Sequence, residues 1–367
     1  MRVLLLTDAE FATRERALLD RLAVGLIDAG IRVILATPRG VPAETPGLLE
    51  RVWYDPPSTR FGAPRLAGAL SAELARRDLA DEKTPLDVVH LFGARTWRIG
   101  LLLARMHTAG LAVEVWSRAL AREAGRALSA GANHNGRVVF VAPGAPLRDE
   151  ATRRAPATPY ALSRWGVHAP ADATPPTKPR EAPGVVLLAN PDLGSRTMSA
   201  LRGLVSAPAA SDAVIFCDER VVRGDRRLGK AVKDLGLRPR FSLLARMESR
   251  RAPAMGADLL LSITEPGEHR SIVLDAMASG PVVVTLADPL CDWLHDGRTC
   301  TALEQDTPAA WSTAIEALLS DAHARRSLAQ SAREWTESER PASRHVSDQI
   351  AVYQRLIGRA QPAELAR

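Results

Sequence analysis

The sequence predicts two parallel α/β domains, and three observations predict them. Short continuous apolar runs alternate with segments of helical periodicity from Val3 to Thr285. A proline-rich stretch between His168 and Pro183 interrupts that alternation near the middle of the chain. The 367 residues, 46% of them hydrophobic, suffice for two cores, and with 4% aromatic residues those cores rest on Leu, Val, Ile and Ala.

Val3 to Thr7 reads as a buried first strand, and Arg14 to Ala29 carries Leu18, Leu19, Leu22, Leu26 and Ile27 at helical spacing until Gly30 stops it. Arg32 to Ala36 is the next strand, which sets the strand-helix-strand pattern of a parallel sheet. Asp87 to Phe92 and Ala112 to Trp116 continue as strands around a helix over Ile99 to His107, followed by a strand over Val138 to Ala142. After the proline-rich stretch the pattern resumes. Val185 to Ala189, Ala213 to Cys217, Arg240 to Leu244, Leu259 to Ser262 and Val282 to Thr285 are strands, and Met198 to Val205, Leu228 to Leu235 and Ser271 to Ser279 are helices. Beyond Pro308, Trp311, Ile315, Leu318 and Leu319, then Leu328, Ala332 and Trp335, then Val346, Ile350, Tyr353, Leu356 and Ile357 recur at helical spacing. The reading divides the chain into a first domain over 1–168, a linker over 169–183, a second domain over 184–340, and a C-terminal helix over 341–367 that crosses back to the first domain.

The formal charge is +6, from 48 basic and 42 acidic side chains, with arginines spread along the chain. That balance favours anionic ligands or surfaces weakly and is compatible with peripheral contact at the cytoplasmic face of a membrane. No recognition helix, aromatic-basic strand pair or zinc spacing accompanies it, so nucleic acid is not the expected partner. Cys217, Cys291 and Cys300 form neither a metal-spaced cluster nor a disulfide framework, so a reducing cytoplasmic setting is expected. Asp8 and Glu10 interrupt the opening apolar run before a signal-peptide pattern develops, and no stretch approaches a membrane span. The glycine-rich dinucleotide fingerprint is missing, which sets aside a nicotinamide-dependent enzyme.

The segment most informative about function is Ala257 to Gly280, A-D-L-L-L-S-I-T-E-P-G-E-H-R-S-I-V-L-D-A-M-A-S-G, followed by P-V-V-V-T. A buried strand, a loop with Glu265 and Glu268, a helix with Asp275 among apolar residues, and another strand together make a ligand-binding edge of a parallel sheet. The start of the Ser271 helix, with His269 and Arg270 beside it, offers amide donors and positive charge to an anion, the alternative being an ordinary helix start with a surface arginine. Ala257-Asp258, Ser262, Glu265, Gly267, Asp275-Ala276-Met277-Ala278-Ser279-Gly280, Pro281-Val282-Val283 and the later Asp296-Gly297-Arg298-Thr299 follow one another as in the retaining glycosyltransferases of family 4, which the chain resembles. Asp87-Val88-Val89-His90 and Trp165-Gly166-Val167-His168 extend the resemblance into the N-terminal half.

The resemblance implies a GT-B fold, two Rossmann-like domains facing an interdomain cleft. It also implies retaining hexosyl transfer from a nucleoside diphosphate sugar to a carbohydrate or lipid-linked acceptor. The donor is a substrate; neither a prosthetic group nor a metal is implied, and a protein partner stays open. Asp275 takes the place of the family's ribose-binding carboxylate. Glu265 and Glu268 are alternatives for its sugar-contacting partner, because the usual seven-residue separation from Asp275 falls on Gly267. Ser271, Arg270 and His269 are candidates for the diphosphate. Asn190 stands where the family places an arginine, and Arg196 lies near the place of its lysine, where a solvated or capping arginine is the alternative. His90, in the D-V-V-H strand, is the N-terminal candidate, with a packed histidine as its alternative; His134 carries less motif support. The loop Asp8 to Thr13 lacks the family's glycine pair. With the shifted glutamates and Asn190, this loop motivates a second reading: a noncatalytic glycosyltransferase-like protein that binds a nucleotide or a partner.

Overall fold

The computed structural model describes residues 1–41, 49–57, 62–129, 137–170, 182–190 and 192–358. Contacts divide the chain into two compact units, one of Met1–Gly166 joined by the segment beginning at Ala342, the other of Val167–Pro341. Most of the proline-rich linker, 171–181, lies outside the described residues, as does His134.

The first unit is a seven-stranded sheet formed by β1 (Arg2–Thr7), β2 (Arg32–Pro38), β3 (Glu50–Tyr54), β4 (Val88–Phe92), β5 (Gly110–Glu114), β6 (Val138–Ala142) and β7 (Tyr160–Leu162). The strands lie in the order β3-β2-β1-β4-β5-β6-β7, and every pairing is parallel. All-parallel strands are covered on both faces, which is why β1 and β4 are continuous apolar runs; all five residues of β4 are buried. Leu18, Leu19, Leu22 and Leu26 are buried in the first long helix, expected over Arg14 to Ala29 and found at Arg16–Asp28, and a short helix that Asp8 caps, Ala9–Arg14, precedes it. The helix Ala342–Leu356 packs on Arg16–Asp28 and on β5 and buries Val352, Tyr353 and Leu356.

The second unit holds β8 (Gly184–Ala189), β9 (Val214–Asp218), β10 (Phe241–Leu244), β11 (Leu259–Ile263), β12 (Val282–Leu286) and β13 (Thr301–Leu303), ordered β10-β9-β8-β11-β12-β13 and again parallel throughout. Val185, Leu187, Leu259, Leu261, Val282 and Val284 form its core with Trp311 and Ile315 of the helix Pro308–Ser320. The helix Ser271–Ser279 is buried from Ser271 to Ala278, with no exposed face, as its apolar sequence requires.

In both sheets the chain winds outward one way from a central strand and then returns to wind the other way. The reversal falls between β1 and β4 in the first unit and between β8 and β11 in the second. At such a point the loops leaving the two strands diverge to opposite faces and leave a crevice at the carboxyl ends of the strands.

Candidate functional site

The crevice of the second unit collects most of the residues singled out in the sequence. Asn190 leaves β8, and Thr264 to Arg270 leave β11 and lead into the helix Ser271–Ser279. The loop turns at Glu265-Pro266-Gly267-Glu268. Pro266 fits the second position of a type II turn, Gly267 at φ 76° the third, and the Glu268 amide donates to the Glu265 carbonyl at 2.9 Å. This turn separates the two glutamates. Glu265 is exposed, whereas Glu268 is buried and its Oε2 accepts from the Glu265 amide at 3.3 Å.

Asn190 bridges a carboxylate and a cation. Its Nδ2 donates to Glu268 Oε2 at 2.7 Å, and its Oδ1 accepts from Arg270 Nη1 at 3.0 Å. The two neighbours thereby fix which end of the amide is which, since only the amino group can serve a carboxylate and only the oxygen a guanidinium. Arg270, at 1% exposure, also pairs through Nη2 with Glu248, and its Nη1 lies 3.8 Å from Glu268 Oε1. Its guanidinium thus points inward among carboxylates.

A second buried arginine holds the helix. Arg251 pairs with Asp275, donates from Nη2 to Ser271 Oγ at 2.8 Å, and donates from Nε to the Glu248 carbonyl at 3.1 Å. Ser271 therefore anchors an arginine, while Arg270, at the N-cap, makes no side-chain cap bond. Glu248 gathers the network: its Oε2 meets Arg270, and its Oε1 accepts from Arg220 Nη2 at 3.3 Å. Arg246 and Arg251 flank Glu248 at φ 60° and 54°, sparsely populated for residues with a Cβ, so the segment presenting Glu248 and Arg251 is held in strained backbone. Sequence reasoning missed Glu248, Arg251 and Arg220. The charged run Arg246-Met247-Glu248-Ser249-Arg250-Arg251, just before a buried strand, is the signal that would have found two of them.

His269 is completely buried, with its ring edge-on to Trp293 at 4.6 Å between centroids. Burial lowers its pKa to about 4, against the pull of Asp292, so the ring is neutral at pH 7. Its Nδ1 lies 3.2 Å from the Gly267 carbonyl and must carry the proton to bond there, which leaves Nε2 an acceptor without a donor among the described residues. Arg196 stands apart from this network. Half-buried near the start of the helix Gly194–Ser206, it donates to the Thr264 carbonyl at 2.9 Å and lines an open cavity of about 210 Å³ with Thr264, Pro266, Asp288, Glu304 and Asp306.

The structure therefore joins Asn190, Glu268, Arg270, Ser271 and Asp275 through shared hydrogen bonds and ion pairs, with His269 in the same loop, Glu265 turned outward and Arg196 in the adjoining cavity. His90 belongs to the first unit. It is fully buried, with Nδ1 2.8 Å from Tyr353 Oη and Nε2 3.1 Å from Glu114 Oε2, while Glu114 Oε1 accepts from Trp165 Nε1 at 2.6 Å. Among the described residues no cluster of three or more His, Cys, Asp or Glu could hold a metal ion, and no helix is long and apolar enough to cross a membrane.

No protein-family model and no curated protein sequence matches the chain. Solved structures do. Sucrose-phosphate synthase from Thermosynechococcus elongatus aligns with a TM-score of 0.76 at 14% identity, covering 98% of this chain and 100% of that one. Anabaena Alr3699/HepE in complex with UDP and glucose aligns at 0.70 and 12% identity, over 96% and 98% of the two chains. WaaG, a glycosyltransferase involved in lipopolysaccharide biosynthesis, aligns at 0.66 and 15% identity, over 95% and 99%. At these identities the likeness establishes architecture: two parallel α/β units in the GT-B fold.

Proposed function

We propose that this protein transfers a hexosyl group, with retention at the anomeric carbon, from a nucleoside diphosphate sugar to a carbohydrate or lipid-linked acceptor. The observation that carries this reading is the convergence of Asn190, Glu268, Arg270 and the Ser271 helix at the β8/β11 reversal. A doubly wound sheet offers its ligand crevice at such a reversal. In this reading Asp275 binds the ribose, Glu268 faces the sugar, and Arg196, reaching its half-open cavity, meets the diphosphate. No separate protein base is needed, because the acceptor hydroxyl gives its proton to the departing phosphate as the new glycosidic bond forms. The likeness to structures holding UDP or UDP-glucose supports the choice of donor class.

A second reading, a noncatalytic protein of the same fold that binds a nucleotide or partner, is favoured by the ion pairs. Asp275 is engaged by Arg251 and Arg270 by Glu248, so two residues of the proposed donor site already satisfy groups inside the protein.

Titration calorimetry with a panel of nucleoside diphosphate sugars, followed by product NMR, tests both readings. Specific binding of one donor, weakened at least tenfold by Arg196→Ala and by Asp275→Asn, supports the donor site. Release of a product with the donor's anomeric configuration supports transfer. Binding without turnover against an acceptor panel favours the second reading, and failure to bind any donor overturns the site assignment.

A further inference from the structure

The first unit contains a second concave site, far more cationic than the proposed donor crevice. The helices Arg118–Ser129 and Ala145–Arg154 flank, with Tyr160 of β7, an open groove of about 680 Å³. Its charged lining consists of Arg118, Arg122, Arg126 and Arg154 against the single carboxylate of Glu150. Arg118, Arg122 and Arg126 recur every fourth residue, so they stand on one helix face in a row about 6 Å apart.

Glu150 cannot balance this row. It already pairs with Arg118 at 3.1 Å, with Arg153 at 3.2 Å and with Arg154, while Arg122 and Arg126 form no ion pair among the described residues. The repulsion is felt: the Arg154 guanidinium is the first cause lowering the pKa of Arg122, ahead of desolvation and Arg118. Exposed as they are, Arg122 and Arg126 line a hollow of the size that small ligands occupy. Its floor is apolar, built from the buried side chains of Ala121, Leu147 and Ala151.

We propose that this groove binds a small soluble phosphate ester or diphosphate carrying at least two negative charges, its phosphates on the Arg122 and Arg126 row and its carbon skeleton on the apolar floor. Guanidinium groups match phosphate oxygens two at a time, and a ligand of this charge relieves the repulsion that Glu150 leaves. The inference does not depend on the donor reading, since every residue it uses lies in the first unit.

Calorimetry of the full chain with inorganic pyrophosphate tests it, at low salt and at physiological salt. The expected result is binding that Arg122→Glu with Arg126→Glu weakens at least tenfold, while the charge-matched double variant Arg202→Glu with Arg326→Glu, at exposed positions of the second unit, leaves it intact. Both pairs occupy exposed helix positions, so folding is preserved, and circular dichroism checks that it is. Equal affinity in the two double variants overturns the proposal, as does the lack of any pyrophosphate binding. Anionic phosphatidylglycerol vesicles form the last arm. If the Arg122/Arg126 variant loses vesicle binding while pyrophosphate never binds, the face is a membrane surface and the soluble-ligand proposal is wrong.

Discussion

The two sheets reverse their winding at equivalent points, yet the crevices so formed are lined in opposite ways. At the β1/β4 reversal the buried carboxylate of Asp8 is a helix cap: its Oδ1 accepts from the Phe11 amide at 2.9 Å, its own amide donates to the Phe92 carbonyl at 2.9 Å, and its side chain lies against Gly93. Around it are rings, with Phe11 4.9 Å from Phe92 and 4.6 Å from Trp116. Burial raises the Asp8 pKa, so this crevice disfavours charge. At the β8/β11 reversal, Arg270, Arg251 and Arg220 are instead interleaved with Glu248, Glu268, Asp275 and Asp218. Topology creates the place in both units. The residues leaving the strands decide whether it is closed by packing or by ions.

Removing the hub of the ionic crevice is the strongest way to break this contrast. Glu248→Ala strips Arg270 and Arg220 of a shared carboxylate and leaves Arg270 buried in a site built for its charge. Deleting one member of a buried ion pair costs about 3–5 kcal/mol, and urea unfolding should show a loss of that size. Asp8→Asn should cost less than about 1 kcal/mol, because asparagine caps a helix as well as aspartate and brings no charge to bury. Comparable losses for the two substitutions would erase the distinction between the crevices.

Sterics, rather than charge, should govern the packed crevice. Gly93 sits at φ 103°, a conformation that strains any residue with a Cβ, and an added Cβ would run into the Asp8 carboxylate. Gly93→Ala should therefore cost about 1–3 kcal/mol from backbone strain, with a further loss from the displaced cap. Adding Asp8→Ala to Gly93→Ala removes the clash, so the double variant should be more stable than the sum of the two single losses implies. Strict additivity would show that the carboxylate does not close the crevice.

Much of this architecture was legible in the sequence because strands buried on both faces must be apolar throughout. β1, β4, β6, β8, β11 and β12 are such runs but for a few buried polar residues such as His90, and they are found within a residue or so of their limits. β5 was displaced, expected over Ala112 to Trp116 and found at Gly110–Glu114. The run from Ala109 to Trp116 is apolar but for Glu114, so periodicity gives it no ends, and its pairing with β4 does. β3, at the sheet edge with only Val52 and Tyr54 buried, and the three-residue β7 and β13 escaped notice because they carry too little pattern. So did the helices Ala63–Arg76, Arg118–Ser129 and Ala145–Arg154, whose buried faces carry as many alanines as leucines or more. In the candidate site, spacing located the loop, but it could not say which glutamate turns inward. A single glycine turn decides that, and the counter-ions Glu248 and Arg251 arrive from a strained segment that no periodic signal marks.

A pH-dependent effect separates a buried neutral ring from the ions around it. His269 has its pKa lowered to about 4 by burial, whereas in the unfolded chain it returns to the ordinary value of 6.5. Between those limits the unfolded chain holds a proton that the folded chain does not, so stability falls as the pH falls through that window, by up to about 1.4 kcal/mol per pH unit. His269→Phe keeps an aromatic edge against Trp293 and removes both the titration and the unsatisfied Nε2. Thermal unfolding at pH 7 and pH 5 should show a smaller difference in Tm for this variant than for the parent. The slope should shrink without vanishing, because desolvation also lowers the pKa of His107 in the first unit, where its Nε2 lies 3.1 Å from Ser71 Oγ. An unchanged slope would mean that burial does not depress the His269 pKa, and a steeper slope in the variant would mean that the folded chain holds the imidazolium beside Asp292.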